Sequence, residues 1–128
     1  AALAVEGMRV RLSTGTNNIV RVYTTAPDLE YFIDVPSATE MYGMNIYQFA
    51  AGIFKDLPVG TVIGFYFTSS EGTPTLTDAS NNTLFTDQLW DGAFWVTWTQ
   101  EMADATVDGA RLRMSTNTNP LVKIQYWP

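Results

Sequence analysis

The chain contains no cysteine and no histidine. The first absence removes disulfide staples, thiol nucleophiles and thiolate metal ligands. The second removes imidazole ligands and the side chain whose free pKa best suits proton transfer near neutrality. Carboxylates could still work in pairs, as in glycosidases, or hold a hard cation. Asp87 with Asp91, and Asp104 with Asp108, are close enough along the chain to meet. Both pairs fall in polar segments, where a solvated carboxylate is the ordinary case, and no EF-hand spacing is present. No catalytic residue, metal ligand or cofactor motif is therefore assigned, and the sequence reads as that of a protein other than an enzyme.

Long apolar runs are missing too. None approaches the ~18 residues of a membrane helix, so a soluble chain without membrane contact is expected. The opening Ala1-Ala2-Leu3-Ala4 lacks the basic and apolar regions of a secretory signal and reads as a mature N-terminus. Asn81-Asn82-Thr83 fits a glycosylation sequon, but so short a pattern arises easily by chance in an Asn/Thr-rich loop. With 128 residues, 46% of them hydrophobic, the chain is sized for one continuous core, and a single domain over residues 1–128 is expected.

What the sequence does contain is an internal repeat. Residues 9–24, RVRLSTGTNNIVRVYT, align without a gap on residues 111–126, RLRMSTNTNPLVKIQY, with seven of sixteen positions identical. Val10 with Leu112, Leu12 with Met114, Ile19 with Leu121, Arg21 with Lys123 and Val22 with Ile124 are similar pairs. Each copy has two alternating runs around a Ser/Thr/Gly/Asn cluster, the pattern of a β-hairpin. In that register Arg11 lies opposite Arg21, and Arg113 opposite Lys123. Hairpins so alike are expected to lie close together, related by a local two-fold.

Between the copies, residues 30–35 read as a strand. Ser37-x-x-Glu40 matches a capping box, and Tyr42, Ile46, Phe49 and Ile53 recur at helical spacing, which predicts a helix over residues 37–54. Thr61–Thr68 reads as a buried strand. Residues 69–83 read as a long exposed loop with a short strand near Leu76. Trp90-Asp91-Gly92 should turn the chain into a strand from Ala93 to about Gln100, and residues 101–109 form a polar connection. The expected fold is mainly β: an antiparallel sandwich or barrel of six to eight strands, one covering helix, and similar hairpins at both ends.

Charge follows the repeat. Six of the seven basic residues, Arg9, Arg11, Arg21, Arg111, Arg113 and Lys123, lie inside the two copies, which contain no acid. Residues 25–110 hold twelve acids against one base, Lys55, a net −11. Such bases can serve simply to guard strand edges. Like charges facing each other across a hairpin are unfavourable, however, and five of the six are Arg, suited to bidentate pairing with carboxylate or phosphate. That combination favours an anionic partner.

An acidic protein surface fits the pattern best, and the chain carries one itself, so homo-oligomers are expected. Nucleic acid fits less well, because modules dedicated to it are usually basic overall. The four tryptophans offer a second kind of site: Trp90 or Trp127 could form a flat platform for sugar rings, and Trp127 could equally anchor a neighbouring subunit. Trp95 and Trp98 alternate onto opposite faces of one strand and read as packing residues. These features together suggest a virion structural protein of the capsid decoration or cement type. It would contact its own kind or a capsid-like lattice through Arg9, Arg11, Arg21, Arg111, Arg113, Lys123 and Trp127. A carbohydrate-binding or adhesin-like module is the alternative, and a nucleic-acid-binding β domain the second alternative.

Overall fold

The structure is a computed structural model that describes residues 9–21 and 31–128. Among these residues the chain forms nine strands and one short helix: β1 (Tyr31–Ile33), β2 (Ala38–Met41), β3 (Met44–Phe49), β4 (Val62–Phe67), β5 (Pro74–Asp78), β6 (Thr83–Thr86), β7 (Ala93–Thr97), α1 (Gln100–Ala105), β8 (Ala110–Met114) and β9 (Leu121–Trp127). Period-two alternation builds the layers. Ile63, Phe65 and Phe67 in β4, Phe94 and Val96 in β7, and Ala110, Leu112 and Met114 in β8 are buried. The residues between them face outward.

Two antiparallel sheets result, a four-stranded one in the order β1-β9-β4-β7 and a five-stranded one in the order β2-β3-β8-β5-β6. They enclose one core of aromatic and aliphatic side chains, as a β-sandwich does. Phe49 of β3 meets Phe65 of β4 with ring centroids 6.4 Å apart. At one edge Phe85 of β6 stacks on Phe94 of β7 at 5.7 Å. Inside the core the Tyr47 hydroxyl accepts a hydrogen bond from the Leu121 N–H at 2.8 Å, joining β3 to β9. Thr99 caps α1 by accepting from the Met102 N–H, and Met102 is buried against the core.

The expected β-sandwich is formed, with one strand more than the upper count. The helix expected at 37–54 is replaced by a hairpin of β2 and β3. Tyr42 and Gly43 both take positive φ, 54° and 76°, as a two-residue I′ turn requires. Asn45, Tyr47 and Phe49 are the buried set, whereas Tyr42 is 91% exposed. Tyr42, Ile46, Phe49 and Ile53 therefore do not share a face, and Glu40 accepts from Asn117 instead of capping a helix. The loop expected at 69–83 holds β5, flanked by β8 and β6, with Leu76 and Thr77 fully buried. Its alternating Pro-Thr-Leu-Thr composition suits a half-buried strand better than its polarity suggests. The turn at Asp91-Gly92 is present, again with both φ positive, and leads into β7.

The paired hairpins are the main correction. No strand forms within residues 9–21, and residues 22–24 lie outside the described residues. In the second copy β8 and β9 do not pair with each other: β8 belongs to the five-stranded sheet and β9 to the four-stranded one. Arg113 pairs with Ile46 and Thr75, and Lys123 with Tyr66, so the two charges are not opposed. Each strand already has neighbours on both sides, β3 and β5 for β8, β1 and β4 for β9, which leaves no edge for a mutual ladder. The β4–β9 register shifts between Tyr66 and Phe67 of β4, leaving Val122 of β9 unpaired in the ladder, so that Leu121 and Ile124 are both buried while Val122 is exposed.

The crossing between the sheets, residues 115–120, is held by Asn119, which is fully buried. Its Oδ1 accepts from Thr68 Oγ1 at 2.9 Å and Ser69 N–H at 2.8 Å, and its Nδ2 donates to the Ser69 and Glu71 carbonyls, both at 2.8 Å. Every hydrogen-bonding position of the amide is filled. Replacing Asn119 by Ala would strand these groups, and a loss of about 2–4 kcal/mol is expected in urea unfolding. Asn17, the matching residue of the first copy, is exposed. Asn17→Ala should change stability by less than about 0.5 kcal/mol.

Candidate functional site

Alternation along β8 turns Arg111 and Arg113 to the outer face of the five-stranded sheet, because Ala110, Leu112 and Met114 take the inner one. They line a groove of about 300 Å³ with Thr39, Met41, Met44, Ile46, Gln48 and Asn81. The two arginines are placed differently. Arg111 donates through Nη1 to Asn81 Oδ1 at 2.8 Å. Arg113 is half-buried, and its Nε, shielded from solvent, has no hydrogen-bond partner among the described residues. A shielded guanidinium N–H is unfavourable until an acceptor reaches it. The wall beside it is apolar, formed by Met41, Met44 and Ile46 of the β2–β3 hairpin.

Asn81 owes its position to a turn organised by Asp78. One Asp78 oxygen accepts from the Ser80 and Asn82 N–H groups, each at 2.9 Å, and the other from Asn82 Nδ2 at 3.0 Å. Asn81 itself has a positive φ, 67°, which Asn tolerates. These hydrogen bonds, Asn82's first, hold the Asp78 carboxyl below its ordinary pKa of 3.8, with a smaller contribution from the Arg111 charge.

The four-stranded sheet presents a different outer face. Gly64 leaves room on β4 for the indole of Trp95; a Cβ there would lie 2.5 Å from Trp95 Cζ3. Trp95 packs edge-on to Tyr66 at 5.4 Å and tilts against Trp127 at 5.8 Å. The Arg21 guanidinium sits 3.7 Å from the Trp95 ring centroid and 4.5 Å from that of Trp127. Lys123 Nζ lies 4.4 Å from the Tyr66 centroid. Both contacts are cation–π in character. A wider groove of about 640 Å³ runs along this face, lined by Val20, Arg21, Tyr66, Trp90, Asp91, Ala93 and Trp95.

The six bases of the repeat therefore do not form one patch. Arg111 and Arg113 face out from one sheet, Arg21 and Lys123 lie on the outer face of the other, and Arg9 and Arg11 are exposed on the segment 9–21. Of the two tryptophans offered as a sugar platform, Trp127 is half-buried under Arg21, whereas Trp90 is 57% exposed. Trp98 is buried against Phe54. Sequence reasoning missed the hairpin wall of Met41, Met44 and Ile46 because it placed those residues on a helix. It missed Tyr66 and Gly64 because β4 read as buried on both faces. Among the described residues no group of three or more Asp or Glu side chains gathers as metal ligands would, and no helix is long and apolar enough to cross a membrane. No family model, no curated protein and no solved structure matches this chain.

Because Asp78 has a lowered pKa when folded, its stabilising contribution is complete above pH 3.8 and is lost as pH falls through the folded value. Carboxyl NMR should show Asp78 titrating below that ordinary value. The Asn81 amide signals should shift in step as the turn loosens and releases Arg111. In Asp78→Asn the acid-range shift at Asn81 should disappear.

Proposed function

We propose that this protein is a non-enzymatic assembly protein that docks onto an acidic protein surface through the outer face of its five-stranded sheet. The observation that carries this reading is the Arg113 Nε, shielded and without a partner among the described residues, beside a groove with an apolar wall. A carboxylate entering the groove would pair with that guanidinium once the Arg113 side chain turns its Nε toward the groove, while the apolar part of the partner's side chain lay on Met41, Met44 and Ile46. Arg111, braced by Asn81, stands two residues away, about 6.6 Å along the strand, and would take a second carboxylate. Exposed acids are plentiful on the chain itself, among them Asp34, Asp56, Glu71, Glu101, Asp104 and Asp108. A second copy is accordingly one partner of suitable chemistry, and a heterologous contact between groove and acidic face builds rings or arrays. A chain that decorates or cements a protein lattice, as on a virion, fits this chemistry together with the absence of a catalytic set.

A second reading has its own observation. Trp90 is exposed at the mouth of the groove on the four-stranded sheet, with Tyr66, Trp95, Asp91 and Arg21 around it. Aromatic faces beside a carboxylate and a guanidinium suit a sugar ring. Glycan binding there would use Trp90 and not Trp127, which does not line that groove.

Replacing Arg111 and Arg113 together by Ser should leave unfolding within about 1 kcal/mol of wild type, since both face outward and one carries an unsatisfied N–H. Association, followed by sedimentation at low salt, should weaken at least tenfold. Wild-type association should itself fall as salt rises, because charge pairs at a surface are screened over ~8–10 Å at ordinary ionic strength. Salt-insensitive association lost in Trp90→Ala but kept in the arginine variant would favour the glycan-type face instead.

A further inference from the structure

Residues 9–21 have the sequence of the β8–β9 arch without its structure. The residues matching buried Leu112, Met114 and Leu121 are Val10, Leu12 and Ile19, which are 74%, 52% and 60% exposed. The turn at the middle of the segment is nevertheless already arch-like. In the arch the Thr118 N–H donates to Thr116 Oγ1 at 2.9 Å, and the two hydroxyls lie 2.7 Å apart. In the first copy the Thr16 N–H donates to Thr14 Oγ1 at 3.4 Å, and the same two hydroxyls are 3.4 Å apart. Asn17 stands where Asn119 locks the arch. Arg21 fixes the root of the segment on the outer face of the four-stranded sheet, over Trp95 and Trp127, outside a core that is already closed.

A place for such an arch exists at one edge of the sandwich. An arch adds one strand to each sheet, and among the described residues β6 and β7 end their two sheets side by side, joined by the Phe85–Phe94 stack. Neither strand, Thr-Leu-Phe-Thr or Ala-Phe-Trp-Val-Thr, contains a charge or a proline, the usual protections of an open edge. Leu84 and Phe85 are only partly buried there. The connection between β6 and β7 carries exposed Asp87 and Asp91, opposite in charge to Arg9 and Arg11.

We propose that residues 9–21 form an arm that docks along the β6–β7 edge of a second copy of this chain, adding a strand to each sheet as β8 and β9 do internally. Val10, Leu12 and Ile19 cover Leu84 and Phe85 of the recipient, and Arg9 and Arg11 meet its Asp87 and Asp91. The proposal rests on the reading of the chain as an assembling subunit, but it uses a surface separate from the Arg111–Arg113 groove.

The test uses the absence of cysteine. Ser13→Cys gives a single site for a nitroxide spin label, and unlabelled spin-tagged chain is mixed with ¹⁵N-labelled wild type, so that only contacts between copies broaden signals. Broadening strongest at Thr83–Thr86 and Ala93–Thr97, and fading across each sheet away from that edge, is expected. Adding Val10→Asp and Leu12→Asp to the tagged chain should remove it, with association weakened roughly a hundredfold, about tenfold for each aliphatic side chain left exposed. Arg111→Ser with Arg113→Ser should leave the broadening intact. The proposal is overturned if the mixture associates without broadening at this edge, if the broadening depends on the groove arginines, or if it occurs only when both labels are on one molecule. A mixture that stays monomeric throughout overturns it as well. Association that survives the arm substitutions but fails in the arginine variant would remove the arm and leave the groove reading standing.

Discussion

Both sheets depend on one piece of chain. Residues 110–127 supply β8, flanked by β3 and β5, and β9, flanked by β1 and β4, so that each sheet takes an interior strand from the same arch. Six residues carry the chain from one layer to the other, and they would expose or strand several backbone groups if Asn119 did not satisfy those of Ser69 and Glu71. The crossing also decides where charge goes. Arg111 and Arg113 emerge on one outer face because Leu112 and Met114 point inward. Lys123 emerges on the opposite face because Ile124 points inward from the other sheet.

That separation gives the two faces different chemistry. One is a groove with a braced guanidinium, an unsatisfied one and an apolar wall, which suits carboxylates presented by a protein. The other is an aromatic layer made possible by Gly64 and overlaid by Arg21, whose charge is spread across two indole rings. The second face uses its cations internally, over Trp95 and Tyr66, whereas the Arg113 Nε on the first lacks a partner among the described residues.

The β character, the sandwich, the strands at 31–33, 62–67 and 93–97, and the turn at Asp91-Gly92 were legible from alternation and turn residues. The hairpin at 38–49 was not, because Ile46, Phe49 and Ile53 satisfy a helical spacing, while the strand face that is buried, Asn45, Tyr47 and Phe49, begins on a polar residue. Only the positive φ of Tyr42 and Gly43 separates the two, and it cannot be read from apolar pattern alone. A short strand near Leu76 was legible, but the burial of β5 was hidden by its polarity: Thr77 is fully buried although nothing in a Thr-rich run says so. The repeat was legible as sequence but not as structure. Two alternating runs around a turn describe a hairpin and a sheet-to-sheet arch equally well, and the choice depends on neighbours that other parts of the chain supply. For the site, Arg111 and Arg113 were visible from charge, while the groove that contains them needed the correct assignment of residues 38–49.

The central claim is that this chain acts by charge-dependent association through an outer sheet face. Its most direct test is the solution mass of the wild-type protein by light scattering, across a range of protein concentrations at low and at high salt. The account predicts a defined oligomer or larger array at low salt that shrinks as salt is raised. A monomer at every concentration and salt, with no acidic protein able to change its mass, would contradict it.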